Sequence, residues 1–176
     1  MKREKEPKPR TRVLEDSEQK ELLEACALVE NPYIKPMVQF SIETAVRQGE
    51  LLKIKYNNIN FRNRTLLLSD TKNGEDRTIP LSEKAFLILQ SQPRQLDRSV
   101  FPMTKRKTDY WWKEALGKTK IKGFRWHDLR RHACTLLFEK GLSVPEVQLM
   151  SGHLDPKVLL NTYVKLDPAK LVKKLG

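Results

Sequence analysis

The sequence predicts a mostly α-helical domain interrupted by one small antiparallel β-sheet, an α+β fold. Three observations predict it. Apolar residues recur at helical spacing through most of the chain, the period changes to continuous or alternating apolar runs at about residues 58–81, and Asn73-Gly74 sits inside that stretch. Asn-Gly is the strongest short-range hairpin signal, because both central residues of a type I′ turn need positive φ.

The helices follow in order. Asp16 or Ser17 can cap a helix carrying Leu22, Cys26 and Val29 on one stripe, with Asn31-Pro32 as its breaker. A second helix is expected from Pro36 to Gln48, with Val38, Ile42, Ala45 and Val46 on its apolar face and Gly49 at its end. After the sheet, helix resumes behind Ser82 (Phe86, Leu89) and behind Thr108 (Trp111, Trp112, Ala115, Leu116). A further helix begins near Asp128, buries Leu129, Ala133, Leu136 and Leu137, and closes at Gly141. Ser143–Glu146 reads as a capping box with Pro145 in the first turn, and Gly152 ends that short helix. Asp155-Pro156 and Asp167-Pro168 each pair a cap with a first-turn proline, predicting helices over 156–165 and from 168 to the end.

The chain has 34 Lys and Arg against 22 Asp and Glu, a net charge of +12. That excess favours a polyanionic partner, nucleic acid or an anionic membrane face. No apolar run reaches the roughly 18 residues of a membrane span, and no cationic amphipathic segment of the membrane-surface type stands out, so nucleic acid leads. The basic N-terminus lacks the apolar stretch of a secretory signal. Cys26 and Cys134 form no CxxC pair, which fits a reducing, cytoplasmic setting.

Two of the three histidines fall in "WHDLRRHACT", residues 126–135. On a helix beginning near Asp128, His127 and Arg130 share one face near the N-terminus. There the free backbone N–H groups and the dipole already favour an anion. An imidazole donor and a guanidinium fork match the oxygens of a phosphate; the plain alternative is a surface salt bridge by Arg130. A metal site on Asp128 and His132 lacks the three or four ligands zinc takes, and no nucleophile-elbow motif supports a Ser–His–Asp triad. A metal-free phosphate site, with no cofactor, is the better reading.

Further along, "SGHLDPKVLLNTYVKL" sets His153 behind a glycine turn with Tyr163 ten residues later, "ETAVRQGELL" sets Arg47 before Gly49, and "TKNG" sets Lys72 beside the hairpin turn. In this order and spacing the sequence resembles the catalytic domain of the tyrosine recombinase (phage integrase) family, from about residue 13 to the end. The resemblance implies the catalytic-domain fold of DNA breaking-rejoining enzymes and a role for each motif residue. Tyr163 attacks a DNA phosphodiester, leaving a 3′-phosphotyrosine and a free 5′-hydroxyl. Arg47 and Arg130 grip the non-bridging oxygens, His127 and His153 donate hydrogen bonds, and His127 also accepts the tyrosine proton. Lys72 protonates the departing 5′-oxygen. Tyr33, Tyr56 and Tyr110 have no such cationic surroundings in the sequence and are left to packing, the same role that Tyr163 would have as a core residue.

The chain departs from the family's habit in three places. His153 and Tyr163 are ten residues apart rather than nine, Arg131-His132 stands where His-Thr is usual, and Ser151 replaces the usual leucine before Gly152. The resemblance also implies double-stranded DNA as partner and a tetramer on paired sites for a full-length protein, this chain alone being monomeric. Residues 1–12 read as a basic linker or arm and 13–176 as the catalytic domain, without the N-terminal DNA-binding domain that family members commonly carry. The rival functions are DNA relaxation of the type IB topoisomerase kind and a non-catalytic DNA-binding remnant.

Overall fold

A computed structural model describes residues 12–69 and 76–163, with side chains as far as residue 160. Helix α1 spans Asp16–Ala27. Its cap is Glu15 rather than Asp16 or Ser17, because Glu18 lies three residues on and accepts the Glu15 N–H at 3.0 Å.

Helix α2, Ile34–Thr44, starts before Pro36, since Asn31 Oδ1 accepts the Tyr33 N–H at 3.0 Å and opens the turn. Pro36 then occupies the first turn, where its missing N–H costs nothing. The helix also stops four residues short of the expected Gln48. Ala45 adopts a left-handed conformation (φ 57°, ψ 20°), and a separate short helix α3, Gln48–Leu51, begins behind Arg47. Gly49 is therefore inside α3 and does not end α2.

The sheet comprises β1 (Ile59–Asn60), β2 (Thr65–Leu68) and β3 (Arg77–Pro80), antiparallel in the order β1-β2-β3. The β2–β3 register pairs Leu66 with Ile79 and Leu68 with Arg77. Leu66, Leu68 and Ile79 are buried while Leu67 and Thr78 are exposed, the alternation of a half-buried strand. The turn expected at Asn73-Gly74 lies outside the described residues, as does Lys72.

Four helices follow: α4 (Glu83–Gln90), α5 (Lys105–Gly117), α6 (Trp126–Glu139) and α7 (Val144–Ser151). Ser82 caps α4 as expected, its Oγ accepting the Ala85 N–H at 3.1 Å. Thr104, not Thr108, starts α5 by accepting the Lys107 N–H. Helix α6 begins two residues before Asp128, because Asp128 sits in the third helical position and reaches back to the Arg125 N–H at 2.8 Å. The Ser143–Glu146 box and the left-handed Gly152 (φ 68°) bound α7 as the sequence predicts. Helix α8, Pro156–Tyr163, starts behind Asp155, whose Oδ1 accepts the Lys157 N–H at 2.8 Å. The predicted last turn of this helix and the helix from 168 lie outside the described residues.

The core gathers around α2. This helix buries Met37, Val38, Phe40, Ser41, Ile42 and Thr44, more than one face's worth, and packs against α1, α4, α5 and α6. An aromatic cluster fixes the start of α6: Trp112 meets Trp126 edge-on at 5.3 Å between ring centroids and Phe124 at 6.1 Å. Two tyrosines depart from expectation. Tyr56 does have a cation on its ring, Arg94 at 3.6 Å, although its hydroxyl donates to the Gln92 carbonyl and it remains a buried packing residue. Tyr110 is 56% exposed and leans on Trp111 rather than filling the core.

Candidate active site

Helix α2 and the turn after it, the start of α3 and the start of α6 line one recess of about 90 Å³, and the end of α7 receives its arginines from behind. Arg47, His127 and Arg130 line it, with Val46, Trp126 and Leu129 as apolar walls. The local sequence explains each placement. Arg47 stands between the left-handed Ala45 and α3, its backbone N–H held by Glu50 Oε2 at 2.8 Å. His127 and Arg130 occupy the first and second turns of α6 on one face, as their three-residue spacing requires.

Arg130 is buried, and every contact of its guanidinium Nη atoms lies inside the site. Nη1 donates to the Ala45 carbonyl at 2.9 Å and to the Ser151 carbonyl, and Nη2 lies 3.2 Å from both ring nitrogens of His153. Burial lowers its pKa to about 10, with the field of Arg47 adding to the effect, so it stays cationic at neutral pH. Arg47 Nη2 donates to the Gly152 carbonyl at 2.8 Å, and its Nη1 donates to Glu50 at 2.9 Å. His153 follows Gly152; its Nδ1 is 2.8 Å from Ser151 Oγ. Burial, then the fields of Arg130 and Arg47, lower the His153 pKa to about 3. Desolvation by the recess walls, then Arg130 and Arg131, lower that of His127. Both imidazoles are therefore neutral at pH 7 and can donate a hydrogen bond through one ring nitrogen.

The carbonyls of Met150, Ser151 and Gly152 belong to the last turn of α7 and its cap. Helix C-termini leave such carbonyls unpaired and carry partial negative charge. Here they receive guanidinium groups: Arg77 contacts Met150 and Ser151 at 3.4 and 3.3 Å, Arg47 reaches Gly152 and Arg130 reaches Ser151. The site thus holds three arginines against one carboxylate, Glu50, and the excess positive charge faces a recess sized for a small anion.

Of the six residues singled out in the sequence, four come together: Arg47, His127 and Arg130 around the recess and His153 against Arg130. Tyr163 is the last described residue of α8, and its side chain lies outside the described residues, as does Lys72. Among the described residues no three His, Cys, Asp or Glu side chains gather closely enough to hold a metal ion. Asp128 and His132, the pair weighed as metal ligands, serve apart: Asp128 caps α6 and His132 Nε2 meets Gln19 Oε1 at 2.6 Å.

Sequence reading overlooked Glu50 and Arg77. Glu50 is 5% exposed and takes four donors, two from Arg47 and two from Arg77, all within 2.8–2.9 Å. Burial alone would raise its pKa; the hydrogen bonds from Arg77 and Arg47 outweigh that and hold it down to about 2. The three-residue spacing of Arg47 and Glu50 was a visible capping signal. Arg77 left none.

The pattern of the phage integrase family matches residues 12–170. The chain is 38% identical over 136 residues to the shufflon-specific DNA recombinase of Escherichia coli, an alignment covering 77% of this chain and 35% of that protein. It is 27% identical over 159 residues to the tyrosine recombinase XerA of Saccharolobus solfataricus, covering 89% of this chain and 53% of XerA. The chain thus spans about a third to a half of the length of these curated relatives. Among solved structures, the catalytic domain of bacteriophage HP1 integrase superposes with a TM-score of 0.70 at 19% identity, over 92% of this chain and 93% of that one. The Tn1549 transposon integrase, solved with a circular intermediate DNA, gives 0.76 at 17% identity over 96% of this chain and 67% of that one. The superpositions show a shared fold, and the family pattern together with the relatives shows that the chain belongs to the phage integrase family.

Proposed function

We propose that this chain is the catalytic part of a site-specific DNA recombinase that cuts and rejoins strands through a 3′-phosphotyrosine. The observation that carries the reading is the convergence of Arg47, His127 and Arg130 on one small recess, with His153 held against Arg130. Family membership, a relative named as a DNA recombinase and a fold neighbour solved with DNA add support.

The steps follow from the chemistry of the groups. A scissile phosphate in the recess lies against Arg47 and Arg130, whose charges stabilise the oxygens as the phosphorus becomes five-coordinate; one such guanidinium contributes about 10³–10⁵ in rate. Tyr163 loses its proton to His127, forms the new P–O bond and displaces the 5′-oxygen, which takes its proton from Lys72. Neutral His127 can accept a proton because it is unprotonated at pH 7. His153 donates to a non-bridging oxygen. The new ester conserves the energy of the broken one, so a second strand's 5′-hydroxyl reverses the steps without ATP and without a metal ion. Exchange between two sites calls for a tetramer of the full-length protein on paired DNA.

The test is a nicked suicide duplex carrying the cognate site, incubated with the protein in excess chelator. A covalent protein–DNA adduct is expected, mapped to Tyr163 by peptide mass spectrometry, lost in Tyr163→Phe and retained in Tyr33→Phe, Tyr56→Phe and Tyr110→Phe. Attachment at another residue overturns the assignment of the nucleophile, and relaxation of supercoils without site preference favours a topoisomerase instead.

A further inference from the structure

Arg77 leaves β3 and enters the site from behind. Its two Nη atoms grip both oxygens of Glu50 at 2.9 Å, and Nη2 also reaches the Met150 and Ser151 carbonyls. Arg47 also joins Glu50 to the α7 cap, at the Gly152 carbonyl, but Arg77 is the side chain that fastens Glu50 to the last-turn carbonyls of Met150 and Ser151. Glu50 in turn holds Arg47 by its backbone N–H and by Nη1, while the Ser151 carbonyl also accepts from Arg130. The guanidinium is wedged tightly. A Cβ placed on Gly152 would lie 2.6 Å from its Cζ and Nη1, so the turn before His153 is shaped around this side chain. Its Nε is buried without an acceptor, a cost that persists only where the surroundings fix the group firmly.

We infer that Arg77 is a positioning residue, a brace that locks Arg47, through Glu50, and the α7–α8 turn into one arrangement. The inference rests on the recombinase reading for its effect on cleavage, but not for the brace itself. Arg77 is not among the residues that line the recess and has no part in gripping the phosphate. Its removal unfastens Glu50 from the Met150 and Ser151 carbonyls, so the carboxylate, and Arg47 with it, loses its fixed position. Misplacement of a gripping group by about 1 Å costs on the order of 10²-fold in rate.

Two measurements on the whole chain test this. NMR of the Arg47 guanidinium is expected to show slow, hindered rotation in the wild type and averaged signals in Arg77→Met. Single-turnover cleavage of the suicide duplex is expected to fall on the order of 10²-fold in Arg77→Met, with DNA affinity nearly unchanged and part of the rate recovered in Arg77→Lys. Gly152→Ala should also slow cleavage; the strain of alanine at φ 68° acts in both backgrounds, but the part of the loss that comes from displacing Arg77 should vanish when the change is added to Arg77→Met. Should Arg77→Met not fold, Arg77→Lys takes its place, keeping the charge but not the fork that spans carboxylate and carbonyls. Unchanged Arg47 signals overturn the brace, as do strictly multiplicative losses for Arg77 and Gly152. A wild-type protein that forms no adduct overturns the recombinase reading instead, and the NMR comparison still decides the brace.

Discussion

Arg130 Nη1 donates to the carbonyl of Ala45 at 2.9 Å, and Ala45 is a non-glycine residue in the left-handed region, at φ 57°. That conformation ends α2, turns its last carbonyl toward α6 and sends Arg47 into the recess. An alanine there costs roughly 1–2 kcal/mol relative to ordinary helical backbone, and Ala45 has no solvent exposure to relieve it.

Ala45→Val is therefore expected to destabilise the protein by about 2–4 kcal/mol, since a β-branched residue is a poor fit to positive φ and its two extra methyl groups overpack a filled site. Cleavage should fall in the protein that remains folded, because the carbonyl that anchors Arg130 moves. Ala45→Gly is the control. Relief of the backbone roughly offsets the greater unfolded-chain entropy of glycine and the loss of a buried methyl, about 0.8 kcal/mol. Urea unfolding should find it near neutral; a glycine variant as unstable as the valine one would contradict the backbone account.

Acid sensitivity gives a second expectation. His132 is 2% exposed; its Nε2 meets Gln19 and its Nδ1 is buried without a partner. Burial lowers its pKa from 6.5 to about 4, opposed weakly by Asp16. The unfolded chain thus binds this proton first. Its contribution to stability is complete above pH 6.5 and is lost as pH falls toward about 4, with His153 continuing the loss toward about 3. Glu50, also depressed, acts in a lower window, between 4.5 and about 2. In urea titrations across the His132 window, His132→Leu should make the dependence shallower by about 1.4 kcal/mol per pH unit, one proton's worth. An unchanged slope would mean that His132 is not held neutral.

How much of this was legible in the sequence depends on the range of the interaction. Helix starts with a partner two or three residues away could be read: the Ser143–Glu146 box, Ser82 and Asp155 stand where expected. The break at Ala45 could not. "TAVRQ" carries helical spacing, and alanine is the best helix former, so only the pull of Arg130, 85 residues away in sequence, favours the turn. The same limit hid Arg77, whose partner Glu50 lies 27 residues earlier on another element. Arg94 over Tyr56 is a third case, a loop cation meeting a ring that local pattern assigns to packing alone. By contrast His127 and Arg130 were found because both lie on one helix face, where spacing alone brings them together.

The last expectation separates the group that protonates the leaving oxygen from those that stabilise the phosphate. Lys72 lies outside the described residues, but the strands that flank it in sequence are paired at Leu68 and Arg77, and Arg77 is fastened to Glu50, so the described ends of that segment are anchored beside the site. A 5′-bridging phosphorothiolate substrate replaces the departing alkoxide by a thiolate, a group stable without a proton near neutral pH because thiol pKa values lie near 8.5. With an ordinary duplex, both Lys72→Ala and Arg130→Ala should cleave slowly, the arginine variant by about 10³ or more. With the sulfur substrate, Lys72→Ala should regain most of the wild-type rate, because the step it served no longer needs a proton. Arg130→Ala should stay slow, because negative charge still develops on the non-bridging oxygens and the guanidinium anchored at the Ala45 and Ser151 carbonyls is gone. Rescue of the arginine variant, or failure to rescue the lysine one, would move the general acid to a different residue.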